Sequence, residues 1–326
     1  MSDKKNIIWS KIKDYVSIAR PDHWSKHVFI IPGVIFAFVL VEEHTVEFPI
    51  SLFFGFPAAC LLSSANYVIN EWSDAEFDKF HPIKKHRPAA SGRLSGKIVL
   101  LEYILLTSTG LYLSSLVSHP FFITAIIFLM MALLYNLKPF RLKDRVFLDV
   151  LSESINNPLR LMFGWFMVAS HVVPPSSLVI SYWFGGAFLM AAKRLAEFRF
   201  ITRRRKLDNL KVYRKSFRSY TENSLLVSSF LYGLLSSFFI SAFLIKHRHE
   251  FLFVFPVIAS LFAYYLSISL RKVSLAQTPE KLYKDKRLVI LVILLVVLMI
   301  AFSFIDIPFA EKLIGIQKGL NYSIWE

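Results

Sequence analysis

Asn70, Asp74 and Asp78 recur every four residues, directly after an uncharged and mostly apolar stretch at residues 48–69. On a helix that spacing puts the three side chains on one face. Glu71 stands beside them, and the basic run His81-Pro82-Ile83-Lys84-Lys85-His86-Arg87-Pro88 follows. Carboxylates gathered at the mouth of a membrane span suit a divalent metal that carries phosphate. Mg2+ takes one or two carboxylates plus phosphate oxygens, and nearby Lys and Arg neutralise the remaining charge. A diphosphate leaves readily only once its charge is neutralised in this way. The chemistry expected is therefore displacement of diphosphate, with Asn70, Glu71, Asp74 and Asp78 as Mg2+ ligands. The plain alternative makes Asp74 and Asp78 solvated residues of a loop.

Two further polar sets occur where apolar residues are expected. Asp149, Glu153 and Asn157 form a second four-residue stripe, with Asn156 and Arg160 alongside; Lys193, Arg194 and Glu197 form a third set. Ionisable groups inside a span cost about 2.5–3.5 kcal/mol each, so several at one depth are expected to face one another around a wet cavity. Arg and Lys beside carboxylates argue against a simple proton or cation path and for a metal-bridged phosphate. Lys84, Arg87, Arg160, Lys193 and Arg194 would bind phosphate oxygens; Asp149 and Glu153 would hold a second metal or a sugar hydroxyl. Competing structural readings are that Lys193 and Arg194 snorkel to the interface, that Glu197 pairs with one of them, and that Asn156-Asn157-Pro158 is a helix kink.

The elements that must position these residues follow from hydropathy and charge. The chain has 326 residues, 55% of them hydrophobic and 16% aromatic, with a mean hydropathy of +0.50. Apolar stretches recur from end to end and predict nine spans near 24–41, 48–70, 98–117, 119–137, 146–170, 177–197, 223–245, 251–270 and 288–307. The segments on one side of these spans hold thirty Lys and Arg, and those on the other hold four. The positive-inside rule then puts the N-terminus in the cytoplasm and the C-terminus on the opposite side. The same asymmetry accounts for the net charge of +15 without nucleic acid, which is not an expected partner. The opening residues are basic with no long apolar core, so no cleavable signal peptide is expected. Cys60 is the single cysteine, which excludes an intramolecular disulfide and a Cys-based zinc site. Residues 1–23 predict an interfacial amphipathic helix, 24–307 a nine-helix transmembrane domain and 308–326 a tail.

The first motif, its Lys84-x-x-Arg87-Pro88 continuation and Ala90-Ser91-Gly92 resemble the UbiA-type superfamily of intramembrane prenyltransferases. So do Arg20-Pro21, Trp24-x-Lys26, Tyr135 and the polar set at 193–197. Glu71 stands where that family usually has Asp. Asp78-x-x-His81-Pro82-x-Lys84-x-x-Arg87-Pro88, Ala192-Lys193-Arg194-x-x-Glu197 and Tyr213-Arg214-x-x-x-x-x-Tyr220-Thr221 are more similar to the polyprenyl-phosphate phosphoribosyltransferase branch, where Lys193 replaces an acid of a second Asp-x-x-x-Asp. The resemblance implies an all-α polytopic membrane protein, nine helices around a cytoplasm-facing cavity, in a bacterial inner membrane. It implies Mg2+-dependent transfer from a soluble diphosphate donor to a membrane lipid. Lys26, Tyr135, Asn157, Glu197 and Arg214 join the basic residues at the substrates, and Asp74, Asp78, Asp149, Glu153 and Lys193 are the catalytic candidates.

The reading is thus phosphoribosyl transfer from phosphoribosyl diphosphate to a polyprenyl phosphate. One alternative keeps the scaffold and moves an isoprenyl group from its diphosphate to an aromatic or other lipid acceptor. The other is a lipid or ion transporter without chemistry. Oligomeric state and lipid chain length are not legible in the sequence.

Overall fold

A computed structural model describes residues 2–45, 48–80, 84–203, 215–247, 249–271, 274–277, 279–307 and 309. His81, Pro82, Tyr213, Arg214 and nearly all of the expected tail lie outside the described residues. Among those described there is no strand. The helices are α1 (Ser2–Ala19), α2 (Ile31–Leu40), α3 (Phe48–Asp78), α4 (Gly96–Val117), α5 (His119–Asn136), α6 (Leu148–Ser154), α7 (Asn156–Val168), α8 (Ser176–Arg203), α9 (Glu222–His247), α10 (Phe255–Leu270) and α11 (Lys286–Phe304). A 3-10 stretch, Pro21–Ile30, leads into α2.

Six helical segments are long and apolar enough to cross a membrane: Trp9–Leu40, Phe48–Asp78, Gly96–Val117, His119–Asn136, Glu222–His247 and His249–Leu270. Helices also occupy the other three expected spans. The expected fifth span divides at Ile155 into α6 and α7, as the Asn156-Asn157-Pro158 sequence suggests, since a proline removes a donor and crowds the preceding turn.

Length decides where the motifs sit. With 31 residues, α3 is about 46 Å long, and about twenty residues suffice for the hydrocarbon. Its last turns, bearing Asn70 to Asp78, therefore reach the polar boundary. The 28 residues of α8 carry Lys193, Arg194 and Glu197 in the same terminal position. One residue, Ser118, turns α4 into α5. Its hydroxyl accepts from the Phe121 amide at 3.3 Å and donates to the Phe166 carbonyl at 3.2 Å, satisfying an exposed helix-end donor.

At the centre, α7 packs against α2, α3, α5 and α8. It is almost wholly buried, with Leu161, Phe163, Trp165 and Met167 in the main core beside Phe121 and Phe128. Two glycines allow the α2–α7 crossing to be this close. A Cβ on Gly33 would meet the Leu161 carbonyl oxygen at 2.0 Å, and one on Gly164 the Ile30 carbonyl oxygen at 2.1 Å. The outward faces of α4, α9 and α11 remain apolar, with Leu105, Tyr112, Phe230, Phe238, Ile290 and Val297 exposed. Such continuous apolar surface belongs against lipid. The expected interfacial helix α1 keeps Trp9, Ile12 and Val16 exposed, but buries Ile18 completely among Val68, Ala89, Leu94 and Val99.

Candidate active site

Glu71, Asp74 and Asp78 at the end of α3 are buried or half-buried, and each meets a cation from a different segment. Glu71 accepts from Arg20 at 2.7 Å. Asp74 accepts from Arg141 at 3.1 Å and lies 2.5 Å from Lys143. Asp78 accepts from Arg87 at 2.6 Å. The connections that deliver two of these arginines are strained: Arg20 has φ 51° and Arg141 φ 33°. The left-handed region disfavours side chains that carry a Cβ, and residues held there concentrate at functional sites. Phe147, φ 62°, is the third such residue described. Its amide donates to the Tyr220 hydroxyl at 2.8 Å.

The second stripe and the third set are bound into one network by Arg194. Its Nη2 donates to Glu153 at 2.7 Å, its Nε to Asp149 at 3.4 Å, and its Nη1 lies 3.7 Å from Glu197. Tyr135 donates to Glu153 at 2.7 Å. Asp149 is fully buried, and it also accepts from Tyr220 at 2.6 Å and Ser216 at 3.1 Å. Burial, and then the Asp149 carboxylate beside it, push the Tyr220 phenol above its ordinary value. Glu197 lies 3.7 Å from Lys84. Asn157 lies against Gly186, where a Cβ would meet its Nδ2 at 2.1 Å.

Several expectations are altered by these contacts. Arg87 and Arg194 were expected on phosphate, yet both are engaged by carboxylates. Asp149 was expected to face a ligand, yet it holds the 215–220 segment against α6 and α8. Lys193 is half-buried with no ion pair or hydrogen bond among the described residues. Lys26 contacts His23 at 3.2 Å and lies over the Tyr67 ring. Arg20, Arg141, Lys143, Ser216 and Tyr220 were not singled out as site residues. Arg20 had a signal through the Arg20-Pro21 pair, and Tyr220 through the Tyr213-Arg214-x-x-x-x-x-Tyr220-Thr221 run.

Whether the first motif suits a metal turns on its donors. Among the described residues no group of three or more His, Cys, Asp or Glu side chains converges on one point, because each carboxylate is drawn to its own cation. Two oxygens nevertheless lack partners although buried: Asn70 Oδ1 and Glu71 Oε1. Hard, partly anionic oxygen donors on one helical face suit Mg2+. Arginine and lysine sit on the carboxylates, so the residues fit the ion by the chemistry of their donors and not by a preformed geometry.

A long polar-tipped α3, a split central helix and acid-bridged basic residues characterise an integral membrane protein with a polar cluster among its helices. The chain belongs to the UbiA prenyltransferase family, whose pattern matches residues 30–291. Decaprenyl-phosphate phosphoribosyltransferase of Mycolicibacterium smegmatis is 28% identical over 225 residues, covering 68% of this chain and 65% of that protein. An uncharacterized protein of Sinorhizobium fredii, y4nM, is 33% identical over 153 residues, 47% of this chain and 28% of that protein. The chain thus matches less than two thirds of the length of either relative. A solved UbiA homolog from Archaeoglobus fulgidus, bound to DMAPP and Mg2+, shares the fold with a TM-score of 0.65 at 17% identity, over 90% of this chain and 100% of that one.

Proposed function

We propose that this chain transfers a phosphoribosyl group from phosphoribosyl diphosphate to the phosphate of a polyprenyl phosphate, inside a nine-span bundle whose cavity opens to the cytoplasm. The similarity to decaprenyl-phosphate phosphoribosyltransferase carries this reading. Lys193 supports it, because it adds a cation without an ion-pair partner where a second acidic motif would serve a second diphosphate–metal clamp.

Asn70, Glu71, Asp74 and Asp78 would hold Mg2+, which neutralises the donor's diphosphate when bound. Arg20, Arg141, Lys143 and Arg87, released from those carboxylates, then face the diphosphate oxygens as donors. The bond from the anomeric carbon to diphosphate breaks with its electron pair leaving on diphosphate. An oxygen of the lipid phosphate forms the new bond to that carbon. The charge developing on the sugar is stabilised by Glu153, oriented by Tyr135 and Arg194. The lipid phosphate is already anionic, so no general base is required, and Lys193 positions it.

The test is an assay of purified protein with Mg2+ and a polyprenyl phosphate, offered labelled phosphoribosyl diphosphate and labelled prenyl diphosphates in parallel. Labelled lipid from the phosphoribosyl donor is the expected result. Transfer from a prenyl diphosphate alone would overturn the reading in favour of prenyl transfer, and diphosphate release from neither would favour a transporter.

A further inference from the structure

Beneath the carboxylate motif lies a second group of polar side chains that the reaction above does not use. Asn66 stands two turns before Asp74 on α3, about 12 Å deeper along the axis. Its Nδ2 donates to the Phe128 carbonyl at 3.4 Å, and the Arg160 guanidinium lies over the Phe128 ring at 5.6 Å. Arg160 is 9% exposed, and its only hydrogen bond among the described residues runs to the Asn156 carbonyl at 3.4 Å. His27, 6% exposed, lies on the Pro21–Ile30 stretch that packs against α7, the helix of Arg160. The three segments that bring these residues together, Pro21–Ile30, α3 and α7, pack against one another.

What distinguishes the group is how many of its polar atoms lack partners. Both His27 ring nitrogens, Asn66 Oδ1, Asn156 Oδ1 and Arg160 Nε are buried without one. Buried polar groups are ordinarily paired, and a buried guanidinium without a carboxylate is costly. Arg194, at a similar level of burial, shows the ordinary solution with its surrounding acids. Arg160 has none within ion-pair distance among the described residues. An isoprenyl chain would leave every one of these atoms unsatisfied.

We propose that His27, Asn66, Asn156 and Arg160 form an oxyanion pocket for a phosphomonoester, separate from the diphosphate site at Asp74 and Asp78. Arg160 supplies the charge and the Nε donor, the His27 imidazole supplies a second N–H, and the Asn66 and Asn156 amide oxygens accept from the hydroxyls of the group that carries the phosphate. Two substrates of the proposed reaction, on which this inference rests, carry such a group: the 5-phosphate of the ribosyl donor and the phosphate of the lipid. The 12 Å offset along α3 favours the donor, which bears phosphates at both ends of one sugar.

The experiment uses the full chain in detergent or nanodiscs and compares Asn66→Leu, His27→Leu, Arg160→Gln and Arg160→Lys with the unmodified protein. KM is measured for each substrate in turn, together with inhibition by ribose 5-phosphate and by inorganic diphosphate. Loss of one charged hydrogen bond should weaken ribose 5-phosphate inhibition and raise the donor KM on the order of tenfold or more, with Arg160→Lys partly restoring both and diphosphate inhibition unchanged. A rise confined to the lipid KM assigns the pocket to the acceptor phosphate. Neither KM nor ribose 5-phosphate inhibition moving, in variants that keep the unmodified melting temperature, overturns the pocket. If the unmodified protein uses only prenyl diphosphates, the function proposed above fails instead. That outcome is read before any variant is made.

Discussion

Arg141 reaches Asp74 from a left-handed backbone position, its Nη2 3.1 Å from Oδ1, while its Nη1 donates to the Ser73 and Asn136 carbonyls. One guanidinium thus ties the end of α3 to the end of α5 and holds a motif carboxylate at the same time. Its planar fork makes these contacts together, and an ammonium cannot. Arg141→Lys should lower kcat/KM at least tenfold with little change in melting temperature, because Lys143 still neutralises Asp74. Steady-state kinetics beside a melting curve checks both halves.

Metal removal should act through Asn70. Chelation with EDTA is expected to stop turnover and added Mg2+ to restore it. Asn70→Ala, which deletes a buried oxygen without a protein partner, should raise the Mg2+ concentration needed for half-maximal rate. Rates measured across a Mg2+ titration for both proteins decide the point; unchanged metal dependence in the variant would remove Asn70 from the ligand set.

Arg194→Met should destabilise the protein by about 3–5 kcal/mol, the usual cost of breaking a buried ion pair on one side. Three carboxylates, Asp149, Glu153 and Glu197, would lose their shared cation. Thermal unfolding in detergent reads this directly. Lys193→Met, one position away, removes a cation with no ion pair and should leave the melting temperature near that of the unmodified protein while lowering activity.

Tyr220→Phe should cost about 1.5–3 kcal/mol by removing a hydrogen bond to a buried carboxylate. Its pH dependence has a definite sign. The raised phenol value means the folded protein holds this proton more tightly than the unfolded chain. The contribution is complete below about pH 10, the unfolded value, and declines as pH rises from there toward the folded value. Melting temperatures between pH 9 and 11 should therefore fall more steeply for the unmodified protein than for Tyr220→Phe.

Much of this site was legible because helices advertise themselves by period. The stripes Asn70–Asp74–Asp78 and Asp149–Glu153–Asn157 were read from four-residue spacing, and the break before Pro158 from local chemistry. Arg141 and Lys143 were not, because a short connection has no period and their direction depends on a single positive φ. Asp149 shows the other limit. Spacing puts it on the polar stripe, but only the return of the 215–220 segment tells whether it meets solvent, ligand or protein. His27 and Asn66 looked like ordinary residues in apolar surroundings, and only the tally of unmatched atoms in three dimensions separates them from the core.

The close crossing of α2 and α7 sets the spacing between the segments that carry His27 and Arg160. Arg160 stands one turn from Gly164, and His27 leads directly toward Ile30, so the two sides of the deeper pocket are spaced by backbone meeting backbone. Gaps set by side chains widen or narrow with every substitution. A gap set by two glycines has no adjustable stop, and even Gly164→Ala would wedge it open against the Ile30 carbonyl. The pocket is accordingly ruled like a fixed calliper, and its selectivity is written into the main chain.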